Sequence, residues 1–142
     1  MMISQLLATR SGEVVSVKRT APVMEVIALL SERRIGAVPV VEDGAVIGIM
    51  SERDVIYRLT SDGASILDWP VEKVMNAPVV TVAPDSTVLG GLALMTKRRI
   101  RHLPVVDNGK IVGIISIGDL VKARMDRIEA EAEAMRHYIQ AG

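Results

Sequence analysis

Apolar residues follow two different periods along the chain, and the order of these periods predicts its elements. In residues 23–34, VMEVIALLSERR, apolar side chains recur three and four positions apart, as expected for one buried face of a helix. Residues 37–50, AVPVVEDGAVIGIM, are instead almost continuously apolar around a polar turn at Asp43-Gly44. That pattern predicts a hairpin of two strands with both faces covered, followed by a helix that starts at Ser51.

The same succession occurs a second time, 65 residues later. Residues 16–56 align with residues 81–121 without a gap, and about fifteen of the 41 aligned positions are identical. Short β segments at 13–17 and 78–82 precede the two helices, so each unit is predicted to be β-α-β-β-α. We therefore expect an α/β (α+β) fold in which repeat 1, residues 1–60, packs on repeat 2, residues 61–124, in pseudo-two-fold symmetry.

Local signals predict where the helices begin. Thr20 is the expected N-cap of the first helix, with Pro22 in its opening turn, and Asp85 is the expected N-cap of its counterpart. PVEKVM (70–75) is expected to form a short lead-in helix to repeat 2, and MMISQLL (1–7) takes that part for repeat 1.

The last helix is predicted to continue beyond repeat 2, over residues 120–140. Apolar residues along it are spaced alternately four and three apart, which is the seam of a coiled coil: Val121, Met125, Ile128, Ala132, Met135 and Ile139. The seam spans fewer than about three heptads, too few for an independent coiled coil. Two interpretations stay open, a helix packed on its own domain and a dimer contact.

Composition narrows the class of protein. The chain has 142 residues, 17 basic and 17 acidic side chains and no cysteine, so neither a polycationic surface nor a disulfide framework is expected. No signal peptide or membrane span is apparent, and we expect a cytoplasmic protein. Only Trp69, Tyr57 and Tyr138 are aromatic, so a pocket for a flat ring would be lined mainly by aliphatic side chains and backbone.

The repeated motif Gly-x-x-Ser-x-x-Asp carries the candidate chemistry. It occurs as Gly48–Asp54 and Gly113–Asp119, each time where a strand is predicted to end and a helix to begin. Ser-x-x-Asp at a helix start is in most cases a capping box. Its repetition at a helix N-terminus, after a glycine that allows close approach, also suits a site in which the carboxylate accepts hydrogen bonds from a ribose diol.

The two repeats resemble a tandem of CBS (cystathionine β-synthase) domains, also called a Bateman module. The resemblance rests on both Pro-Val-Val strands and both Gly-x-x-Ser-x-x-Asp motifs, covers residues 5–124, and is closest to small stand-alone bacterial CBS pairs. It implies two pseudo-symmetric clefts between the repeats. Such clefts bind adenosine-bearing ligands: AMP, ADP, ATP, NAD(H) or S-adenosylmethionine.

The resemblance also implies roles for individual residues. Asp54 and Asp119 would hold the ribose hydroxyls. Side chains that would contact ribose or phosphate are Ser51, Ser116, Arg53, Arg101 and His102, the last two matching phosphate-contacting residues in the nucleotide-sensing subunit of AMP-activated protein kinase. The adenine pocket would be formed by Val15, Ala37, Val38, Pro39, Val80, Leu103 and Pro104.

The clefts are not expected to be equivalent. Arg101 and His102 align with Gly36 and Ala37, which carry no charge, and Arg53 aligns with Gly118. The sequence does not decide which cleft binds a ligand.

The predicted function is a regulatory module that binds an adenine nucleotide, forms a homodimer and signals to a separate effector protein. No catalytic motif or metal-ligand cluster is recognisable, so we expect neither an enzyme nor a metalloprotein. Two alternatives stay open. One is a constitutive dimerisation scaffold with vestigial clefts, and the other, less favoured, is a nucleic-acid binder that uses the basic run 97–101, KRRIR.

Overall fold

Two β-hairpins form the centre of the chain, in a computed structural model that describes residues 1–10 and 12–141. Strands β1 (Ala37–Glu42) and β2 (Ala45–Ser51) form one antiparallel sheet, and β3 (His102–Asp107) and β4 (Lys110–Ser116) form the other. Each hairpin has a register shift at the same place, after Val40 and after Val105. The two sheets contact each other along β2 and β4.

Helices flank each hairpin in the same order. In the first repeat α2 (Val23–Arg33) precedes the hairpin and α3 (Glu52–Asp62) follows it; in the second, α4 (Val88–Arg98) precedes and α5 (Ile117–Ala141) follows. A short helix, α1 (Ile3–Leu7), opens the chain, and two 3₁₀ helices, Gly63–Asp68 and Val71–Lys73, join the repeats. The predicted fold class, with its long last helix, is confirmed.

The hairpin turns are those that the sequence predicts. Asp43 and Gly44 have φ of 51° and 83°, and Asn108 and Gly109 have 50° and 77°. Positive φ at both central residues is the conformation of a two-residue turn that matches the twist of the strands, and Asn-Gly and Asp-Gly favour it.

Two local predictions differ from the structure. The helices begin later than expected, because α4 is capped by the Thr87 hydroxyl, which accepts from the Gly90 amide at 2.9 Å, rather than by Asp85. In the first repeat the cap position is Pro22 rather than Thr20, and no side chain accepts a capping bond there. Pro22 has φ of −62° and ψ of 143°, so it is the last extended residue before the helix.

The predicted first strands, 13–17 and 78–82, are reduced to one parallel bridge each. The Val17 amide donates to the Pro39 carbonyl at 3.1 Å, and the Val41 amide donates to the Val17 carbonyl at 2.9 Å. Val82 makes the same two bonds with Pro104 and Val106. Each segment thus lies beside its own hairpin as an extended chain, but it adds only one bridged residue to the sheet.

The segments that lead into the repeats are exchanged between their cores. Ile3 of α1 is fully buried in the core of the second repeat, with Met95, Leu103 and Leu120. Conversely, Ile66, Val71 and Val74 of the connecting segment are buried in the core of the first repeat, with Val38 and Met50. The domain boundaries 1–60 and 61–124 stay predictions. The core of each repeat is completed by the lead-in segment of the other repeat.

The long helix α5 leaves the body of the protein after its second turn. Leu120 and Ala123 are its only buried residues, and residues 125–141 are all exposed. The apolar seam of this helix therefore does not pack on its own chain.

We expect the two cores to stabilise the fold through fully buried methionines. Met50→Ala in the first core and Met95→Ala in the second should each lower the free energy of unfolding by about 2–5 kcal/mol, since each leaves a cavity. Met24→Ala, on the exposed side of α2, is the matched control and should change it little. Urea unfolding measures all three, and a loss below 1 kcal/mol at Met50 would contradict this packing.

Candidate ligand-binding clefts

Both copies of the repeated motif form capping boxes. In the first, the Ser51 amide donates to Asp54 Oδ2 at 2.7 Å, and the Asp54 amide donates to Ser51 Oγ at 3.4 Å. In the second, the Ser116 amide donates to Asp119 Oδ2 at 2.8 Å, and the Asp119 amide donates to Ser116 Oγ at 3.1 Å. Both carboxylates are half-buried, so capping leaves part of each of them accessible.

The motif glycines make room for side chains. A Cβ on Gly48 would lie 2.2 Å from the Met75 sulfur, and a Cβ on Gly113 would lie 2.6 Å from a Leu7 methyl carbon. Both covering side chains come from the exchanged lead-in segments. The close approach expected at these glycines is therefore made by protein side chains, which fix the segments beside the capping boxes.

Two cavities lie between the repeats, one beside each capping box. The Asp119 cavity has a volume of about 580 Å³ and combines β4 and the start of α5 with residues 12–15 and 34–37 of the first repeat. The Asp54 cavity, of about 380 Å³, combines β2 and the start of α3 with residues 99–102 of the second repeat. Both volumes lie in the range of small-molecule sites.

Arg10 occupies part of the Asp119 cavity. Its Nη2 lies 2.6 Å from Asp119 Oδ2, and its Nη1 donates to the Ile114 carbonyl at 2.7 Å. Burial alone would raise the pKa of Asp119, but hydrogen bonds from the Ser116 amide and from Arg10 outweigh it and hold the pKa below its ordinary value. Asp119 is therefore ionised at neutral pH. The cation nearest to it is Arg10, a residue of the same chain.

A neutral amide takes the corresponding place in the Asp54 cavity. Asn76 Nδ2 donates to Asp54 Oδ1 at 2.7 Å, and Ser51 Oγ donates to Asp54 Oδ2 at 3.0 Å. Three arginines, Arg53, Arg99 and Arg101, line the same cavity. Across residues 1–10 and 12–141, no carboxylate oxygen lies within 4.0 Å of these three guanidinium groups.

One arginine in each cavity ends a helix in the left-handed conformation. Arg34 after α2 has φ of 53°, and its counterpart Arg99 after α4 has φ of 55°. Glycine is the residue that adopts this conformation without strain. An arginine at both positions instead places a cation at each cavity.

His102 lies in the wall that the two cavities share. It lines both of them together with Gly36 and Ala37 of the first repeat. A Cβ on Gly36 would lie 3.1 Å from the imidazole Cε1 and Nε2 atoms, so the ring lies directly on this glycine. Burial lowers the pKa of His102, and although Glu52 and Asp119 act in the opposite direction, the imidazole is neutral at pH 7.

The structure brings the predicted polar residues together in two groups. Ser51, Arg53, Asp54 and Arg101 line the Asp54 cavity, Ser116 and Asp119 line the other, and His102 lines both. Of the residues predicted for adenine, Val15 and Ala37 line the Asp119 cavity, and Ala37 also lines the second. The remaining five line neither cavity, and their roles stay predictions: Val38, Pro39, Val80, Leu103 and Pro104.

Sequence reasoning did not find seven polar residues of the cavities: Arg10, Glu13, Arg34, Glu52, Tyr57, Asn76 and Arg99. Arg34 and Arg99 occupy aligned positions of the two repeats, and this identity is the sequence signal that could have identified them. Arg10 and Asn76 lie outside the aligned segments, and no pattern marks them. In the basic run 97–101, Lys97 and Arg98 lie in the last turn of α4, where cations are favoured, and Arg99 and Arg101 line the cavity.

Comparison with known proteins identifies this arrangement of paired repeats. The model of the CBS domain family matches residues 3–61 and 71–126, and the chain belongs to this family as a CBS domain pair. CBS domain-containing protein YhcV of Bacillus subtilis is 32% identical over 128 residues, which are 90% of this chain and 91% of that protein.

Solved structures agree with the assignment. The CBS-domain containing protein ATU1752 from Agrobacterium tumefaciens is 39% identical with a TM-score of 0.83, over 87% of this chain and 99% of that one. CBS domain protein PAE2072 from Pyrobaculum aerophilum, solved in complex with AMP, is 29% identical with a TM-score of 0.74, over 84% and 89% of the two chains. Along the described part of this chain, none of the helices has the length and apolar character of a membrane span.

The depressed pKa of Asp119 predicts a pH dependence of stability. A carboxylate whose pKa is lower in the folded state stabilises the fold above its unfolded pKa, and this contribution is lost as the pH falls through the folded value. Asp119→Asn should therefore lower the free energy of unfolding by about 1 kcal/mol at pH 7. The difference from the wild type should shrink as the pH falls below the ordinary Asp pKa of about 3.9 toward the lower value of the folded state.

Urea unfolding of both proteins at several pH values measures this difference. Asp126→Asn, an exposed residue paired with Lys122 on α5, is the control for the loss of one carboxylate. A difference between wild type and Asp119→Asn that stays constant from pH 7 to pH 3 would contradict the prediction.

Proposed function

We propose that the chain is a regulatory module that binds an adenosine-containing nucleotide in the clefts between its repeats. One observation carries the proposal: each cleft is lined by one capping-box carboxylate and by arginines from the opposite repeat. A half-buried carboxylate accepts hydrogen bonds from a ribose diol, and guanidinium groups bind phosphate. The AMP complex of the Pyrobaculum relative supports a ligand of this class.

The chemistry of the clefts favours binding rather than catalysis. Hydrogen bonds from Ser116 and Arg10 lower the pKa of Asp119, which makes this carboxylate a weak proton acceptor at neutral pH. Asp119 is engaged by Ser116 and Arg10, and Asp54 by Ser51 and Asn76. Capping boxes with such partners position a ligand and link it to the start of a helix.

Binding would act on the geometry between the repeats. Each cleft has walls from both repeats, so a ligand that contacts both walls favours one relative arrangement of them. The lead-in segments beside the capping boxes would follow that arrangement, because Leu7 and Met75 pack on the motif glycines. A separate effector protein would detect the resulting change.

Nucleotide binding should raise the thermal stability of the chain. AMP, ADP, ATP, NAD, NADH and S-adenosylmethionine are tested at millimolar concentration. A ligand at one hundred times its dissociation constant adds about 2.7 kcal/mol, which corresponds to roughly 5–10 °C for a chain of this size. Asp54→Ala or Asp119→Ala should abolish the shift of a ligand bound in the corresponding cleft.

Thermal unfolding with and without ligand measures these shifts, and Asp62→Ala, at the far end of α3, is the control. If none of the six ligands raises the melting temperature, while both Asp variants merely unfold earlier, the carboxylates only cap helices. The scaffold interpretation would then replace the sensor.

We further propose that the module is a homodimer joined through α3 and α5. The aligned positions Ile56 and Val121 are both exposed, at 59% and 41%, so the two repeats present apolar residues at equivalent places. Met125 and Ile128 extend this surface along α5 at 56% and 48% exposure. A second copy that covers both helices would bury the seam that the chain itself leaves open.

Ile128→Glu should dissociate this dimer, because it places a charge within an apolar contact. We expect the dimer dissociation constant to rise more than about tenfold. Ala130→Glu, on the opposite face of the same helix, is the matched control and should remain dimeric. Light scattering during size-exclusion chromatography measures the mass, and a wild type that is monomeric at 100 μM (roughly the upper end of such a titration) would refute the dimer.

A further inference from the structure

The two clefts differ in the cations that they offer to a ligand. Three sequence differences between the repeats, Arg53 for Gly118, Arg101 for Gly36 and His102 for Ala37, lie on separate elements. The two arginines among these residues lie close together in the fold, since Arg53 and Arg101 both line the Asp54 cavity. Gly118 and Gly36 hold the equivalent positions around Asp119.

The cations of the Asp54 cleft are available to a ligand. Arg53, Arg99 and Arg101 are all exposed, and none of them forms an ion pair among residues 1–10 and 12–141. Two carboxylates, Glu52 and Asp54, line the same cavity. Three guanidinium groups against these two carboxylates leave the cleft with an excess of positive charge.

The Asp119 cleft is close to electrically neutral. Arg10 binds Asp119 and the Ile114 carbonyl, so two of its donors are already used. Glu13 also lines this cavity, and its negative charge offsets the positive charge of Arg34, the other arginine there. A polyphosphate placed here would find one arginine fewer than in the Asp54 cleft, and it would have to draw Arg10 away from Asp119.

We propose that the two clefts take different classes of adenosine ligand, a nucleoside polyphosphate in the Asp54 cleft and an adenosine derivative of little or no net charge in the Asp119 cleft. The assignment rests on the proposed function and adds to it which ligand class each cleft selects. Arg53 and Arg101 are the residues that determine the selection on one side. Arg10 and Glu13 determine it on the other. Both clefts can then be filled at once, so the module responds to two ligands rather than to one.

The arginines of the Asp54 cleft provide the first test, with ATP and adenosine as the probes in calorimetric titrations of the full chain. Arg53→Gln and Arg101→Gln should each weaken ATP binding by about tenfold or more, because each removes a charged hydrogen-bond donor from the phosphates. Adenosine binding should change less than about threefold. Arg19→Gln, an arginine paired with Glu42 and Glu72 outside both cavities, is the matched control and should leave both affinities unchanged.

Asp54→Ala should abolish ATP binding and leave adenosine binding in place, whereas Asp119→Ala should do the reverse. Raising the salt concentration should weaken ATP in the wild type more than adenosine, since the phosphate contacts are screened. Loss of ATP binding in Asp119→Ala but not in Asp54→Ala would overturn the assignment. So would equal affinities of ATP in the wild type and in the Arg53→Gln/Arg101→Gln variant.

A gain of binding provides the second test. A Cβ on Gly118 would meet only Ser116 Oγ, at the ordinary contact distance of 3.6 Å, so the backbone there has room for a side chain, and Gly118→Arg introduces the arginine that the other cleft has at the aligned position. Combined with Glu13→Gln, it adds a cation to this cleft and removes an anion from it, and should convert one bound ATP per chain into two. One ATP per chain in this variant, with folding intact by circular dichroism, would count against charge as the selecting property.

The outcomes also separate this assignment from the proposed function. Wild type that binds neither ATP nor adenosine overturns the assignment, and the proposed function falls with it only if none of the other five ligands named above raises the melting temperature. Wild type that binds ATP equally in both clefts, as measured with the two Asp variants, keeps the nucleotide sensor and overturns only the difference between the clefts.

Discussion

The exchange of the lead-in segments is the constraint on which the rest of the structure depends. Each repeat contributes an apolar segment to the core of the other, through Ile3 in one direction and through Ile66, Val71 and Val74 in the other. The backbone bonds are matched as well: the Ile3 amide donates to the Ser86 carbonyl at 2.9 Å, and the Val71 amide donates to the Ala21 carbonyl at 2.7 Å. Each repeat therefore depends on the other for a complete core. The clefts lie between two repeats that this exchange holds together.

The exchange also explains how one motif serves two purposes. Ser51 and Ser116 cap helices, which alone would account for the spacing of Ser and Asp. The exchanged segments, however, bring Asn76 to Asp54 and Arg10 to Asp119, so each capping carboxylate faces a cavity and acquires a second polar neighbour. In Asp54 the cap and the second neighbour use different oxygens, Oδ2 for the Ser51 amide and Oδ1 for Asn76, whereas in Asp119 the Ser116 amide and Arg10 share Oδ2.

The sequence predicts this fold well where its signals are local. The Asp-Gly and Asn-Gly turns, the apolar strands and the helix periods are each contained in a few residues, and they repeat. Asp85 and Thr87 are both good capping residues two positions apart, and the sequence alone does not distinguish them; the structure has Thr87 as the cap. Arg10 and Asn76 could not be predicted, since their positions follow from the exchange, and an exchange depends on contacts between distant residues.

The inequality of the clefts has a steric basis in the shared wall. The His102 ring lies on Gly36, and a side chain at that position would have to displace it. Arg101 leaves the ring in place, whereas an arginine at position 36 would require the ring to shift. The difference between the clefts therefore includes the contact of His102 with Gly36 inside the shared wall, and not only exposed residues.

Covalent linkage of the two repeats is what permits such asymmetry. A chain with a single repeat would have to borrow its lead-in segment from a second copy, because its own core is incomplete without one. Such an assembly would have two identical halves, and any arginine introduced into one cavity would appear in both. Joining the halves in one polypeptide removes that equality, so that each cavity can change its chemistry independently while the shared interior stays the same.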